Sequence, residues 1–532
     1  MHPLCRLFTL TAGCGLVACA AATDGDALAV APGPFQPTWA SLGQRQNPAW
    51  FNEAKFGIWV HWGPQSAAAY GDWYARNMYV EGHKAYQFHL NKYGHPSEFG
   101  FKDVINTWKA EQFDAAKLAA LYKKAGARYL VAMANHHDNF DNWASTHQPW
   151  NSVNMGPKRD IVGELKAAAD KEKMRFGVSI HNINTWGWYD TCRDADKSGP
   201  RAGVPYDGHL TKADGKGKWW EGYDPTDLYG PVHQGGETGD APSAAFMTNW
   251  FLRSRELIDK YQPDVLEFDL WSPTTIWRQW VKLDDVTGPN QVDSRVGMLI
   301  AQHYYNQQSK WRKGADEGII TLKGLTPERL AGSTLALERD FCEKILPQAG
   351  QLEDGMGDWH YNGKEGAYMP ANEVIATLVE AVARNCNLLL NVVLRPDGSV
   401  AGDQEATLLR VGRWLEINGE AIYGSSPYNV MGEGPHRMKS RAQAKEENAP
   451  NKLPSYTEED IRFTRNAGAI YAIVMVSPTK ELVIKAVAQE KIKAVTLLGS
   501  NVAVKWAQAA AGLVIQPALQ APSDLAVVYK IE

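Results

Sequence analysis

The chain has 532 residues, more than one hydrophobic core sustains, so at least two domains are expected. A formal charge of -5 and a sequence pI near 6.3 leave no basic stripe of the kind a nucleic-acid backbone demands, which removes nucleic acid from the expected partners. The 20 tryptophans are many for this length, and indole rings both fill cores and stack on the apolar faces of sugars.

The first 22 residues have the build of an export signal: Arg6 precedes an apolar run over 7–17 that ends in small residues and is too short to span a bilayer. Leu16, Val17, Ala18 and Cys19 form a stretch similar to a bacterial lipoprotein cleavage box, so lipidation of Cys19 and an outer-membrane anchor are expected; simple cleavage around 20–22 is the alternative. After either event Cys192, Cys342 and Cys386 remain, too few for a disulfide framework and without metal-ligand spacing. Residues 23–45, rich in Ala, Gly and Pro, have the composition of a tether.

Order is expected from about Trp50. Short apolar runs at 56–61, 128–134, 175–180, 264–269, 296–301 and 387–393 have strand character. Helical periodicity precedes several of them, over 118–122, 160–173 and 246–261. Strands alternating with helices predict a parallel sheet. No glycine-rich phosphate loop follows any strand; instead His61, His136, His181 and Asp269 fall at or just beyond the ends of four different strands, where barrel enzymes gather their reactive groups. A (β/α)8-like barrel over residues 46–430 is therefore expected. Beyond Tyr423 the period changes to short alternating runs at 469–476, 481–486 and 492–498, which predict an antiparallel β-sandwich over 455–532 with a supporting role.

One long motif adds a resemblance. The run WFNEAKFGIWVHWG at 50–63 is similar to the opening motif of the α-L-fucosidases, glycoside hydrolase family 29, and the likeness continues through DWYARNMY at 72–79, HHDNF at 136–140, KRD at 158–160 and NLLLNV at 387–392. The resemblance implies a retaining exo-glycosidase that needs no cofactor, acts on fucosylated glycans and carries a barrel followed by a sandwich. By motif position it implies fucose contacts from His61, Trp73, His136 and His137, with Asp72 standing where the family often has Glu. Asp269 matches the family's nucleophile.

The general acid is less clear from the residues. Glu338, followed by Arg339 and lying before the DWHY motif at 358–361, resembles one branch of the family, and Arg339 is a sugar-contact candidate; Glu353 and Asp354 are rivals for the acid. The chain departs from the family where many members carry Tyr after the FGV at 176–178: here Ser179 and Ile180 stand, with His181 as a substitute contact. It departs again at Leu270 and Trp271, where a small residue is usual. Two other readings remain open. Histidines and aspartates at barrel strand ends also hold zinc, although adjacent His136 and His137 lack the His-X-His spacing that puts two rings on one strand face. A sugar-binding protein without turnover is the other.

Overall fold

The apolar runs become strands because their residues are β-branched or aromatic and are buried on both sides, as a parallel sheet covered by helices requires. In the computed structural model, which describes residues 28–232, 242–269, 295–315, 317–323, 332–447, 452–518 and 520–532, β1 is Phe56–Val60, β2 Tyr129–Asn135, β3 Arg175–Ile180, β4 Val265–Phe268 and β8 Cys386–Asn391. Between them lie β5 (Ile319–Leu322), β6 (Thr334–Glu338) and β7 (Gly350–Gly355). The eight strands form a closed parallel barrel in sequence order, with β1 pairing both β2 and β8. Gly57 allows the closure to be tight: a Cβ there would sit 2.4 Å from the ring of Tyr129, its pairing partner on β2.

The covering helices start and stop by local chemistry. The Asp114 side chain caps helix Ala115–Lys124 by accepting from the Lys117 N–H at 3.1 Å, and the chain leaves that helix through Gly126 at φ 96°. Asp160 caps helix Ile161–Lys171 in the same way, and Ile161, Val162, Leu165, Ala168 and Ala169 line its buried face. The expected helix over 246–261 is observed as Ala244–Tyr261.

Three expectations are corrected. The run 296–301 is not a strand but the first turns of helix Arg295–Trp311; a short apolar run has no period of its own, and its burial continues helically through Tyr304, Tyr305 and Gln308. The described part of the 23–45 segment is not a tether. Ala31 and Phe35 donate backbone N–H groups to His303 and Asn306 at 2.9 Å, Arg45 lies 3.7 Å over the Tyr305 ring, and Leu42 is fully buried. The limits of 430 and 455 also cut one unit: Ser426–Glu433 is already β9, a strand of the C-terminal sheet.

The C-terminal part is antiparallel. β9 is joined by β10 (Ile461–Asn466), β11 (Ala469–Val474), β13 (Val495–Leu497) and β16 (Val527–Ile531) in a five-stranded sheet ordered β13-β16-β11-β10-β9. β12 (Leu482–Ile484), β14 (Trp506–Ala509) and β15 (Gly512–Ile515) make a second sheet. Apolar residues from both, among them Phe463, Ile484, Leu513 and Tyr529, fill one core between the layers. No helix among the described residues is long and apolar enough to cross a membrane. Cys19 with the export segment 1–22, and Leu270 with Trp271, lie outside the described residues.

Candidate active site

At the C-terminal end of the barrel, seven of the eight strands deliver a polar or ionisable side chain to one place. His61 follows β1, His136 and His137 follow β2, His181 follows β3, Asp269 follows β4 and Lys323 follows β5, while Glu338 closes β6 and Glu353 with Asp354 lies in β7. Asn391, the last residue of β8, accepts the His61 N–H at 3.2 Å and so fixes how the chain leaves β1.

The histidines form a packed wall. Ring centroids are 5.1 Å apart for His61 and His136, 4.2 Å for His136 and His137, and 5.4 Å for His137 and His181. His360, in the loop after β7, adds a fifth ring 4.6 Å from His61 and is anchored through Nδ1 to Asp72 at 2.9 Å. Burial, and then the mutual repulsion of neighbouring imidazoles, holds His61 and His136 well below the ordinary histidine range; burial lowers His137 to about 4 against the pull of Asp269. These three rings are therefore neutral at physiological pH, each offering one donor and one acceptor. Trp73 meets His137 edge to face at 6.0 Å and Trp188 at 5.9 Å, and Trp359 lies 5.4 Å from His61, so indoles supply apolar surface beside the imidazoles.

The carboxylates sit opposite. Asp269 accepts from Lys323 on one oxygen and from Asn184 at 3.2 Å on the other, with His137 Nε2 3.6 Å away. Burial opposes its charge, but Lys323, His181 and His137 outweigh burial and leave its carboxyl below the usual carboxylate range and ionised. The same ammonium donates to Glu338 at 2.8 Å. Two oxygens sharing one nitrogen can be no further apart than two hydrogen-bond lengths, about 6 Å. That is closer to the roughly 5–5.5 Å separation of retaining glycosidases than to the wider gap of inverting ones.

Glu338 and Glu353 differ in access. The Glu338 side chain is 34% exposed, at the rim; Glu353 is completely buried and lies 3.7 Å from Lys323. Burial, reinforced by the charge of Glu267, pushes Glu353 up to about 8, so it is a neutral acid at pH 7, but one without a path to an incoming glycosidic oxygen. Asp354 is taken up by Arg339 at 3.4 Å.

The structure thus brings His61, Asp72, Trp73, His136, His137, His181, Asp269 and Glu338 together. Arg339 belongs to the wall instead: its guanidinium donates to the Gly357 carbonyl at 2.7 Å and covers the Trp359 ring at 4.6 Å, bracing the loop after β7. His181 turns Nε2 away from the pocket toward Glu267 at 2.9 Å. Four residues escaped the sequence reading. Lys323, Glu267, Asn184 and His360 belong to no motif quoted for a role, although His360 stands inside the DWHY stretch and Glu267 two residues before Asp269, on the same strand face.

A metal was not expected from sequence spacing. The fold nevertheless places candidate ligand atoms of His61, His136 and His360, and of His136, His137 and His181, within 4.8 Å of one another. Two ring nitrogens of these histidines, His61 Nδ1 and His360 Nε2, are buried without a hydrogen-bond partner among the described residues, so they could accept a metal or a sugar hydroxyl equally well. Ligand geometry alone leaves both chemistries open; the paired carboxylates opposite are what a glycosidase needs and a mononuclear hydrolase does not.

Comparison with known proteins separates them. The family model for the α-L-fucosidases matches residues 24–420, and the model for the α-L-fucosidase C-terminal domain matches residues 455–532. The chain is 29% identical to mouse tissue α-L-fucosidase over 428 residues, covering 76% of this chain and 78% of that one. Its identity to the human tissue enzyme is 29% over 417 residues, covering 76% and 74%. Among solved structures, the α-fucosidase of Thermotoga maritima in complex with fucose superposes with a TM-score of 0.66 at 24% identity, over 94% of this chain and all of that one. The same enzyme with a mechanism-based inhibitor gives 0.67 at 23% identity, over 93% and 99%.

Proposed function

The chain belongs to the α-L-fucosidase family and is a glycoside hydrolase; from that premise we propose that it removes terminal α-L-fucose from glycans with retention, Asp269 acting as nucleophile and Glu338 as acid and base. The observation that carries this assignment is the single ammonium of Lys323 gripping both carboxylates.

In this reading the sugar lies against the histidine wall. Fucose has an axial 4-hydroxyl and a C5 methyl, so it needs directional donors and acceptors beside an apolar surface. His61, His136 and His137 supply the first, and Trp73, Trp188 and Trp359 the second. Asp72 acts through His360, and at 3.7 Å through His136, by orienting their rings. The ionised Asp269 attacks the anomeric carbon while Glu338 gives its proton to the departing oxygen. Water then enters from the open side, Glu338 takes its proton, and the bond to Asp269 breaks. An ammonium cannot neutralise Glu338 and also leave it protonated, so acid catalysis requires Lys323 to turn to Asp269 when substrate enters. The enclosed wall and the exposed rim position of Glu338 favour a terminal residue inside and an aglycone outside.

Hydrolysis of a chromogenic α-L-fucoside tests the reading. Turnover that survives a chelator, with α-L-fucose as the first product by NMR, is expected; loss on chelation would point to the metal hydrolase, and binding without turnover to a sugar-binding protein. We further propose export, with Cys19 carrying lipid, on the strength of the N-terminal pattern. Mass spectrometry of the mature N-terminus is the check: a diacylglyceryl group on Cys19 is expected, and an unmodified terminus at 20–22 would rule it out.

A further inference from the structure

Directly beneath the nucleophile the barrel interior is charged rather than apolar. Ser179 of β3, Glu267 of β4 and Thr321 of β5 pair in register across one layer, and all three are completely buried. The Ser179 hydroxyl donates to Glu267 Oε2 at 2.5 Å, and His181 Nε2 lies 2.9 Å from the same oxygen and 2.8 Å from the Ser179 hydroxyl. Since the hydroxyl proton is committed to Glu267, Nε2 must carry a hydrogen shared between the two oxygens. This leaves Nδ1 of His181, buried and without a partner among the described residues, as the atom the ring presents elsewhere. A fully buried carboxylate is costly unless a cation compensates it. Lys323 contributes to that compensation from β5, but its hydrogen bonds go to Asp269 and Glu338, and among the described residues the one direct ionic contact of Glu267 is His181.

We infer that Glu267 is a positioning residue: backed by Ser179, it fixes the His181 ring with Nε2 toward the barrel floor and keeps it a cation that, together with Lys323, flanks Asp269. The inference rests on Asp269 being the nucleophile. Its chemical content is that this chain stabilises the nucleophile's charge with an imidazolium held from below, in the place where Ser179 and Ile180 leave no tyrosine. The groups facing His181 are Glu267 and Asp269, which favour its charge, and Lys323, His61, His136 and His137, which oppose it; facing Glu267 are Ser179, His181, Lys323 and Glu353. Burial alone would neutralise His181, yet Glu267 and Asp269 outweigh it and raise it above the ordinary histidine value, opposite to His61, His136 and His137.

The sign of the pH effect follows. A raised value keeps the cation present to higher pH, so removing the Glu267 charge should discharge His181 at lower pH and move the alkaline limb of kcat acidward. Glu267→Gln keeps shape and hydrogen bonding; it should lower kcat about 10- to 100-fold, the size of an effect exerted through an oriented histidine, with KM nearly unchanged. It should also move the alkaline limb by about one pH unit or more. Glu353 also faces Glu267, so the comparison is repeated in a Glu353→Gln background, where the displacement should persist; its disappearance there would assign the limb to Glu353 and overturn the proposal. An unchanged kcat and limb in Glu267→Gln would overturn it as well. Should that variant not fold, imidazole 15N shifts of His181 in the wild-type protein decide: a cation at pH 7 supports the proposal and a neutral ring refutes it. Labelling with 2-deoxy-2-fluoro-fucosyl fluoride separates the two levels of inference. Label on Asp269 with a normal Glu267→Gln enzyme sinks only the positioning role, whereas label on another carboxylate sinks the nucleophile reading and this proposal with it.

Discussion

Two clusters of buried charge in this molecule are built to opposite specifications. One lies where the barrel meets the C-terminal domain: Glu380, fully buried on helix Ala371–Ala383, accepts from Arg384, from Arg462 of β10 at 2.8 Å and from the Tyr456 hydroxyl at 2.6 Å. The spare guanidinium hydrogens go to the carbonyls of Cys342, Met438, Ile461 and His436. The other cluster is the pocket floor, where Glu267 Oε1, Glu353 Oε2, His61 Nδ1, His181 Nδ1 and His360 Nε2 are buried without hydrogen-bond partners among the described residues. A satisfied buried network fixes one arrangement; an unsatisfied one keeps interaction energy available for a ligand or a transition state. The electrostatics agree. Burial opposes the charge of Glu380, but its two arginines outweigh burial and lower it below the usual glutamate value, whereas burial and Glu267 push Glu353 up to about 8.

The largest test of this contrast removes the carboxylate that the unsatisfied cluster surrounds. Asp269→Ala should cut kcat by roughly 10³-fold or more, as loss of a covalent nucleophile does, with fold and fucose affinity nearly unchanged. Azide should restore part of the rate and give the inverted glycosyl azide by NMR; near-wild-type turnover would dissolve the contrast at its functional end. Glu338→Gln should next lower hydrolysis of natural oligosaccharides about 10² to 10⁴-fold but that of a nitrophenyl fucoside far less, because an activated leaving group needs no proton. Equal losses on both substrates would move the acid elsewhere.

At the satisfied cluster the effect should be on stability. Glu380→Ala leaves two buried guanidinium groups uncompensated and should cost about 3–5 kcal/mol in denaturant unfolding, while kcat per folded molecule stays the same. A small cost there, or a lost kcat, would mean that this cluster does not separate stability from catalysis.

The clusters should also answer pH in opposite directions. Glu380, lowered from 4.5 when folded, contributes stability that is present above about pH 4.5 and lost as pH falls below it. Glu353, raised from 4.5 to about 8, contributes stability that is complete below about pH 4.5 and is lost as pH rises toward 8, at no more than about 1.4 kcal/mol per pH unit. Thermal melts across pH 5–9 should therefore show Glu353→Gln losing less stability than wild type on the alkaline side. Parallel curves would place Glu353 outside that linkage. The smallest effect is expected from the exposed Arg410–Asp524 pair at 2.7 Å, which also joins barrel to sandwich: Arg410→Gln should change unfolding free energy by no more than about 0.5 kcal/mol. A larger loss would make surface ion pairs, not the buried network, the main fastening between the domains.

Much of this was legible in the residue order. The apolar runs around Ile58, Val131, Val178, Leu266 and Leu389 report strands because each is buried on both faces, and the histidines and Asp269 that end them report the reactive face, since side chains just past a barrel strand point to one place. The long motif from Trp50 carried the family. Three strands were not legible for the same reason that the site works: β5, β6 and β7 spend positions on Thr321, Glu338, Glu353 and Asp354, and these polar residues interrupt the apolar signal. The run at 296–301 misled because six apolar residues are too few to set a period.

What only the tertiary structure decided is the charge balance. Lys323, Glu267 and Glu338 stand on three different strands, and nothing local to any of them says that one ammonium will touch two carboxylates or that a glutamate beneath will meet His181. Arg339 shows the converse, a residue next to Glu338 in sequence whose side chain the fold turns onto Trp359. Sequence sets strand period and the side to which each residue projects, because both are fixed by local backbone geometry. Protonation states and partnerships depend on distances between strands and on exclusion of water, which exist only once the barrel has closed.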